Sequence, residues 1–157
     1  MCWQGRGGKR QALYSHILIA LNQSPAAQRA LQQAIRLAAA LHATLTAVAV
    51  SPSLPFYAEY AAALNPESRQ TLEIDQQASC AELLEMARRE GRDHDIEIET
   101  ILSSGSIQGS LMEAVRKKNI DLIVLGIHRD HDLPEWLSSS TAHELAEGAP
   151  CDVLGVH

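Results

Sequence analysis

Residues 126–145 read GIHRDHDLPEWLSSSTAHEL, and many of the side chains able to do chemistry fall there. Gly126 closes a strongly apolar run, IDLIVLG. His128 and Arg129 enter a polar loop, and Ser139, Ser140 and Thr141 stand where helical spacing begins. A strand, a polar loop and a helix in that order suit a phosphate group. The free N–H groups of a helix N-terminus attract anions, and a guanidinium such as that of Arg129 can donate two parallel bonds to phosphate. The same Ser138 to Thr141 run also suits the plain task of capping a helix.

Other chemistries fit less well. His128, Arg129 and Asp130 spell a kinase-like HRD, but the chain is far too short and has no glycine-rich loop or DFG. His128, Asp130, His131, Asp132 and His143 suggest a metal only if the segment is helical, and it reads as loop. His143-Glu144 lacks the second histidine of a His-Glu-x-x-His pattern. The serines have no G-x-S-x-G elbow around them, so no hydrolase triad can be assigned. Asp75, Glu82, Glu85 and Glu90 read as solvated charges on a polar helix. Trp136, within the loop, packs on the next helix or covers the ligand crevice as a lid. Cys80 and Cys151 read as small apolar fillers.

The elements that must position these groups alternate along the chain. HILIALN (His16 to Asn22) has the pattern of a short buried strand. Ser24-Pro25 signals a helix start, because serine caps and proline suits the first helical position. Ala30, Leu31, Ala34, Ile35, Ala38 and Leu41 then recur at helical spacing. Ala43 to Val50 is rich in β-branched residues and reads as a second strand. A polar helix is predicted from about Glu67 to Gly91, and a half-exposed strand from Asp95 to Leu102. SLMEAVRKKN is a third helix, and IDLIVLG suits the middle of a parallel sheet covered on both faces. SSTAHELAEGA and CDVLGVH close the chain as helix and strand. The fold class is therefore α/β: one doubly wound open parallel sheet of five strands with four helices.

Composition is compatible with one domain. The chain has 157 residues, enough for a single core, with 46% hydrophobic and 20% charged residues. Its net charge of -6 argues against a nucleic-acid partner, which needs a basic surface. Three cysteines without CxxC spacing indicate neither a disulfide framework nor zinc, and they fit a reducing cytoplasm. No apolar run approaches a membrane span. Residues 1–14 are basic and glycine-rich without a signal-peptide core and are expected to form a flexible tail, with the domain at 15–157.

Four stretches, in order, resemble the universal stress protein family: HILIALNQSPAAQRAL, LTAVAVSP, IDLIVLGIH and SSSTAHELAEGAPCDVLGV. The resemblance covers about residues 14 to 157. It implies a Rossmann-like sheet ordered 3-2-1-4-5, related to the adenine nucleotide alpha hydrolases. In such sheets ligands bind outside the carboxyl ends of the strands, where the order reverses. That places a crevice between the first and fourth strands, lined by Asn22, Gln23 and Ser24 and by Gly126 onward. Nucleotide-binding members carry G-x2-G-x9-G-(S/T) in the loop. Here the spacing runs through Gly126, Arg129 and Ser139-Ser140, so two of the three glycines are replaced. The family's aspartate after the first strand is Asn22, and Ile107 stands where a proline is common. Val50 keeps the apolar character that packs near the base.

The resemblance implies a non-catalytic, cytoplasmic stress-response protein whose crevice for phosphate or nucleotide has a degenerate motif. Asn22, Val50, Gly126, His128, Arg129, Ser139, Ser140 and Thr141 are its expected binding residues. The expected ligand is ATP, another adenine nucleotide or a phosphorylated small molecule. Two alternatives stand beside this reading. One is a true ATP- or AMP-binding member with slow or no hydrolysis; the other is a protein-interaction module whose crevice Arg129 and Trp136 fill. An enzyme of the related nucleotide-using group would need SGGxDS or similar after the first strand, where this chain has LNQSPAA. The last strand, Cys151 to His157, is an expected homodimer edge.

Overall fold

A computed structural model describes residues 13–52, 60, 63–127 and 140–157. Strands and helices alternate: β1 (His16–Leu21), α1 (Pro25–Leu41), β2 (Thr44–Pro52), α2 (Pro66–Asp93), β3 (Ile98–Gly105), α3 (Ile107–Lys118), β4 (Leu122–Gly126), α4 (Ser140–Gly148) and β5 (Asp152–Val156). The five strands form one sheet in the order β3-β2-β1-β4-β5, and every pairing is parallel. The expected α/β architecture and strand order are both present.

Helices cover the two faces, and this explains the apolar runs in the central strands. One buried cluster joins Ile17, Ile19 and Leu45 of the sheet to Ala30, Leu31 and Ile35 of α1 and to Cys80 and Leu84 of α2. The other joins Leu18, Val48 and Ile123 to Leu111 and Val115 of α3 and to Leu145 of α4. Alternate residues of β1 thus enter opposite cores, so both sets are apolar. The predicted stripe of α1 is buried at Ala30, Leu31, Ala34, Ile35 and Ala38. Ser24 caps α1 by accepting from the Ala27 N–H at 3.1 Å, and Pro25 opens the helix.

At the amino ends of the strands, Asp121 fixes β1 beside β4. Its Oδ2 accepts from the Ser15 N–H at 2.8 Å and its Oδ1 from the His16 N–H at 3.0 Å. Asp121 in turn donates its own N–H to the His16 carbonyl. Nearby, the Tyr14 hydroxyl donates to Asp152 Oδ2 at 2.7 Å, and that bond, ahead of burial and charge, holds the phenol above its ordinary pKa.

β3 begins later than the alternation of Asp95 to Leu102 suggests. Asp95 adopts a left-handed turn, φ 57°, and Ile96 donates its N–H back to the Gly91 carbonyl at 2.8 Å. The first residues of the alternating stretch therefore serve the helix exit, and pairing with β2 starts at Ile98.

α2 is the longest described helix, 28 residues, which is about 42 Å at 1.5 Å per residue. Its buried positions are Cys80, Leu84, Ala87 and Gly91, all in the second half. The first half runs on past the part that the core holds.

Candidate functional site

The carboxyl ends of β1 and β2 finish level. Leu21 pairs with Ala49, so the next residues, Asn22 and Val50, emerge side by side. Asn22 is shaped by the turn that follows: its Oδ1 accepts from the Ser24 N–H at 2.9 Å. Ser24 then caps α1. The polar run NQS therefore places an exposed side-chain amide beside the strand ends.

Against these ends stands the first half of α2, and between them lies a cleft of about 420 Å³. β1 and its exit contribute Leu21, Asn22 and Gln23, and β2 contributes Val50. α2 contributes Leu72, Asp75, Gln76, Ser79, Cys80 and Leu83, a stripe at helical spacing. Leu21, Leu72 and Leu83 make an apolar interior, the amides, Ser79 and Asp75 give it polar edges, and Val50 borders it from the strand end while packing on the opposite core. Asp75 is the only charged side chain among the described lining. A cleft whose charge is a carboxylate suits a neutral, flat, hydrogen-bonding group better than a phosphate. Its size falls in the range of small-molecule sites, about 300–1,000 Å³.

Gln76 is held in this wall by a buried partner. The Ser51 hydroxyl, on a residue 6% exposed, donates to Gln76 Oε1 at 3.4 Å. Cys80 sits at the inner end of the stripe, 9% exposed, and burial pushes its thiol above the ordinary value. Burial raises Cys151 as well, with smaller contributions from Asp152 and Asp121. Both cysteines are free and neither has the lowered pKa of a reactive thiolate, which fits their reading as apolar fillers.

The expected binding residues divide into two groups. Asn22 and Val50 line the cleft together. Gly126 is not in that lining and has a role of its own. A Cβ built there would lie 2.4 Å from the Ala26 carbonyl carbon and from the Ala27 nitrogen. The strand end packs directly on the first-turn backbone of α1, so the glycine's close approach is to protein. His128, Arg129 and Ser139 lie outside the described residues, as does Trp136. Ser140 and Thr141 open α4, and their side chains lie outside the described part. Among the described residues no group of His, Cys, Asp or Glu is placed to hold a metal ion.

Sequence reasoning missed the α2 wall. Asp75 reads as one more solvated charge, and it is indeed exposed, yet it lines the cleft. The available signal was Leu72, Gln76, Ser79, Cys80 and Leu83, which share one helical face in the helix that Pro66 opens.

The model of the universal stress protein family matches residues 13–157. "Universal stress protein A homolog 1" of Coxiella burnetii is 34% identical over 146 residues, covering 91% of this chain and 96% of the relative. Universal stress protein UspA from Lactobacillus plantarum has the same fold, with a TM-score of 0.78 at 24% identity over 94% of this chain and 100% of that one. A universal stress protein solved in complex with cAMP gives a TM-score of 0.65 at 22% identity, over 92% of this chain and 97% of that one.

Proposed function

The chain belongs to the universal stress protein family, and on that premise we propose that it is a non-catalytic regulatory protein that receives an adenine nucleotide. The observation that carries this reading is the cleft of about 420 Å³ at the carboxyl ends of β1 and β2. It lies at the carboxyl ends of the strands, where open parallel sheets take ligands, but on the β2 side of β1 and not in the expected crevice between β1 and β4. The structural relative solved with cAMP supports an adenine nucleotide as the ligand class. The nucleoside enters between Val50 and α2, with Asn22 beside it. Asp75 keeps the phosphates out of the cleft and directs them toward the segment after Gly126. There His128, Arg129, Ser139, Ser140 and Thr141 are the groups to meet them, with the Arg129 guanidinium taking the place of a motif glycine.

The test is the ligand content of the purified protein. Denaturing it, removing the chain and weighing the supernatant by mass spectrometry is expected to give adenine nucleotide near one per chain. ATP added to the emptied protein is expected to bind in titration calorimetry and to release phosphate no faster than buffer. Absence of nucleotide and of binding at millimolar ATP sinks the reading and leaves a protein-interaction module. Phosphate release well above background sinks the non-catalytic part alone.

The protein works as a homodimer through β5 in this proposal. β5 is an edge strand, and Leu154 is 38% exposed on it. An unpaired edge invites a second strand. Light scattering is expected to give about twice the chain mass of 17.1 kDa, falling to one chain in Leu154→Asp. A monomer in the unaltered protein overturns the assignment. The cytoplasm is the proposed compartment, in keeping with the free Cys80 and Cys151. Among the described residues no helix is long and apolar enough to cross a membrane.

A further inference from the structure

Two side-chain amides of the cleft have their oxygen committed, Asn22 to the Ser24 N–H and Gln76 to the Ser51 hydroxyl, and they differ in burial. Asn22, Gln23 and Asp75 are exposed, whereas Gln76 is half-buried in the middle of the wall. Its Oε1 accepts from the Ser51 hydroxyl, which comes from inside the sheet at the end of β2. With the oxygen turned inward, the Nε2 group is the end left for the cleft. Leu21 and Leu72 line the same cleft, apolar surfaces suited to the faces of a flat ring.

We infer that Gln76 determines which base the cleft accepts by donating from Nε2 to a ring nitrogen of a purine, with Ser51 as its positioning residue. The inference rests on the reading of the cleft as a nucleoside site and adds the group that recognises the base. A fixed donor in a partly buried wall selects for an acceptor at one place on the ring edge. A ligand that presents C–H there leaves the donor unpaired and dry, which costs more than the bond itself is worth. Asp75, one residue earlier on the same wall, supplies an acceptor near the rim, where an exocyclic amine can meet it.

The experiment measures affinities of adenosine and of 1-, 3- and 7-deazaadenosine for the full chain and for Gln76→Leu. The unaltered protein is expected to lose about tenfold in affinity for one of the three analogues, the cost of one unpaired donor. Gln76→Leu is expected to lose about tenfold for adenosine and to bind that same analogue no worse than the unaltered protein does. Ser51→Ala is expected to weaken adenosine binding in the unaltered background and to change nothing once Gln76 is leucine. A packing role for Ser51 would move both backgrounds alike. Gln76→Glu, which cannot donate when ionised, is expected to bind worst. Position 76 lies on an overhanging helix half away from the buried core, so unchanged thermal unfolding of these variants serves as the folding control.

Three equal analogues, or adenosine binding untouched by Gln76→Leu, overturns the inference while the cleft reading stands. Tighter binding by Gln76→Glu means the amide oxygen faces the ligand and overturns it as well. No adenosine binding by the unaltered protein overturns both.

Discussion

Gly126→Ala is expected to destabilise the protein by about 3 kcal/mol, the upper part of the range for overpacking a tight interior. The substitution adds one methyl group, and on an open strand end that would be nearly neutral. Here the methyl carbon would arrive 2.4 Å from two backbone atoms of α1. Backbone cannot turn aside as a side chain can, so α1 must shift as a body. Its inner face is a row of buried alanines, Ala26, Ala27, Ala30, Ala34 and Ala38, already pressed on the sheet. The first turn of α1 also carries the Asn22–Ser24 cap, so nucleotide affinity is expected to fall with stability. Urea unfolding beside ATP titration checks both. If Gly126 served only a phosphate, affinity would fall and the unfolding midpoint would stay, and that result would refute the packing role.

Asp121→Ala is expected to cost about 2–3 kcal/mol, the loss of hydrogen bonds to a charged acceptor. Removing the carboxylate leaves the Ser15 and His16 N–H groups without their acceptor in a part-buried place. They lie where the central strand enters the sheet, so the loss is felt by β1 and both its neighbours. Asp121 stands at the amino ends of the strands, a full strand length from the cleft. Nucleotide affinity, measured well below the unfolding transition, is therefore expected to remain unchanged. A midpoint shift equivalent to less than about 0.5 kcal/mol, as for an ordinary surface site, would show that water replaces the carboxylate.

Much of the fold was legible in the sequence because it rests on local rules. Ser24-Pro25 had to begin a helix, and it does. The run from Ile120 to Gly126 had to lie between two covered faces, and β4 does. Matching elements to strand order needed the family resemblance, since periodicity does not say which strand lies beside which. The site was less legible for a physical reason. Asn22 and Val50 stand at strand ends, where sequence position almost fixes spatial position. The α2 wall depends on how far a long helix overshoots the sheet and which face it turns inward. Its mixed composition (Gln76 between Asp75 and Gln77) hides that face. Gly126 has a second reason to be glycine that the sequence does not show. A glycine after a strand reads as room for a ligand, and the crossing of α1 adds a packing requirement at the same residue.

The overshoot of α2 also bears on how the cleft behaves in time. Cys80, Leu84, Ala87 and Gly91 moor the second half to the core, while Leu72 and Ile74 stand 46% and 57% exposed in the first. Amides between residues 66 and 79 are expected to exchange with solvent through local opening, faster than those after Cys80. The outer part of the cleft wall, Leu72 to Ser79, falls within that lightly held stretch, while Cys80 and Leu83 belong to the moored half. A nucleoside resting on it would add tertiary contact to a helix half that, among the described residues, has no buried side chain. Deuterium uptake across residues 66–79 is expected to slow when adenosine is present and to stay fast when it is absent. Uptake indifferent to adenosine would mean that the wall is rigid before the ligand arrives. On the proposed function, occupancy of the site and order in this arm of the molecule would be a single equilibrium, and a partner that grips the arm would sense whether the cleft is full.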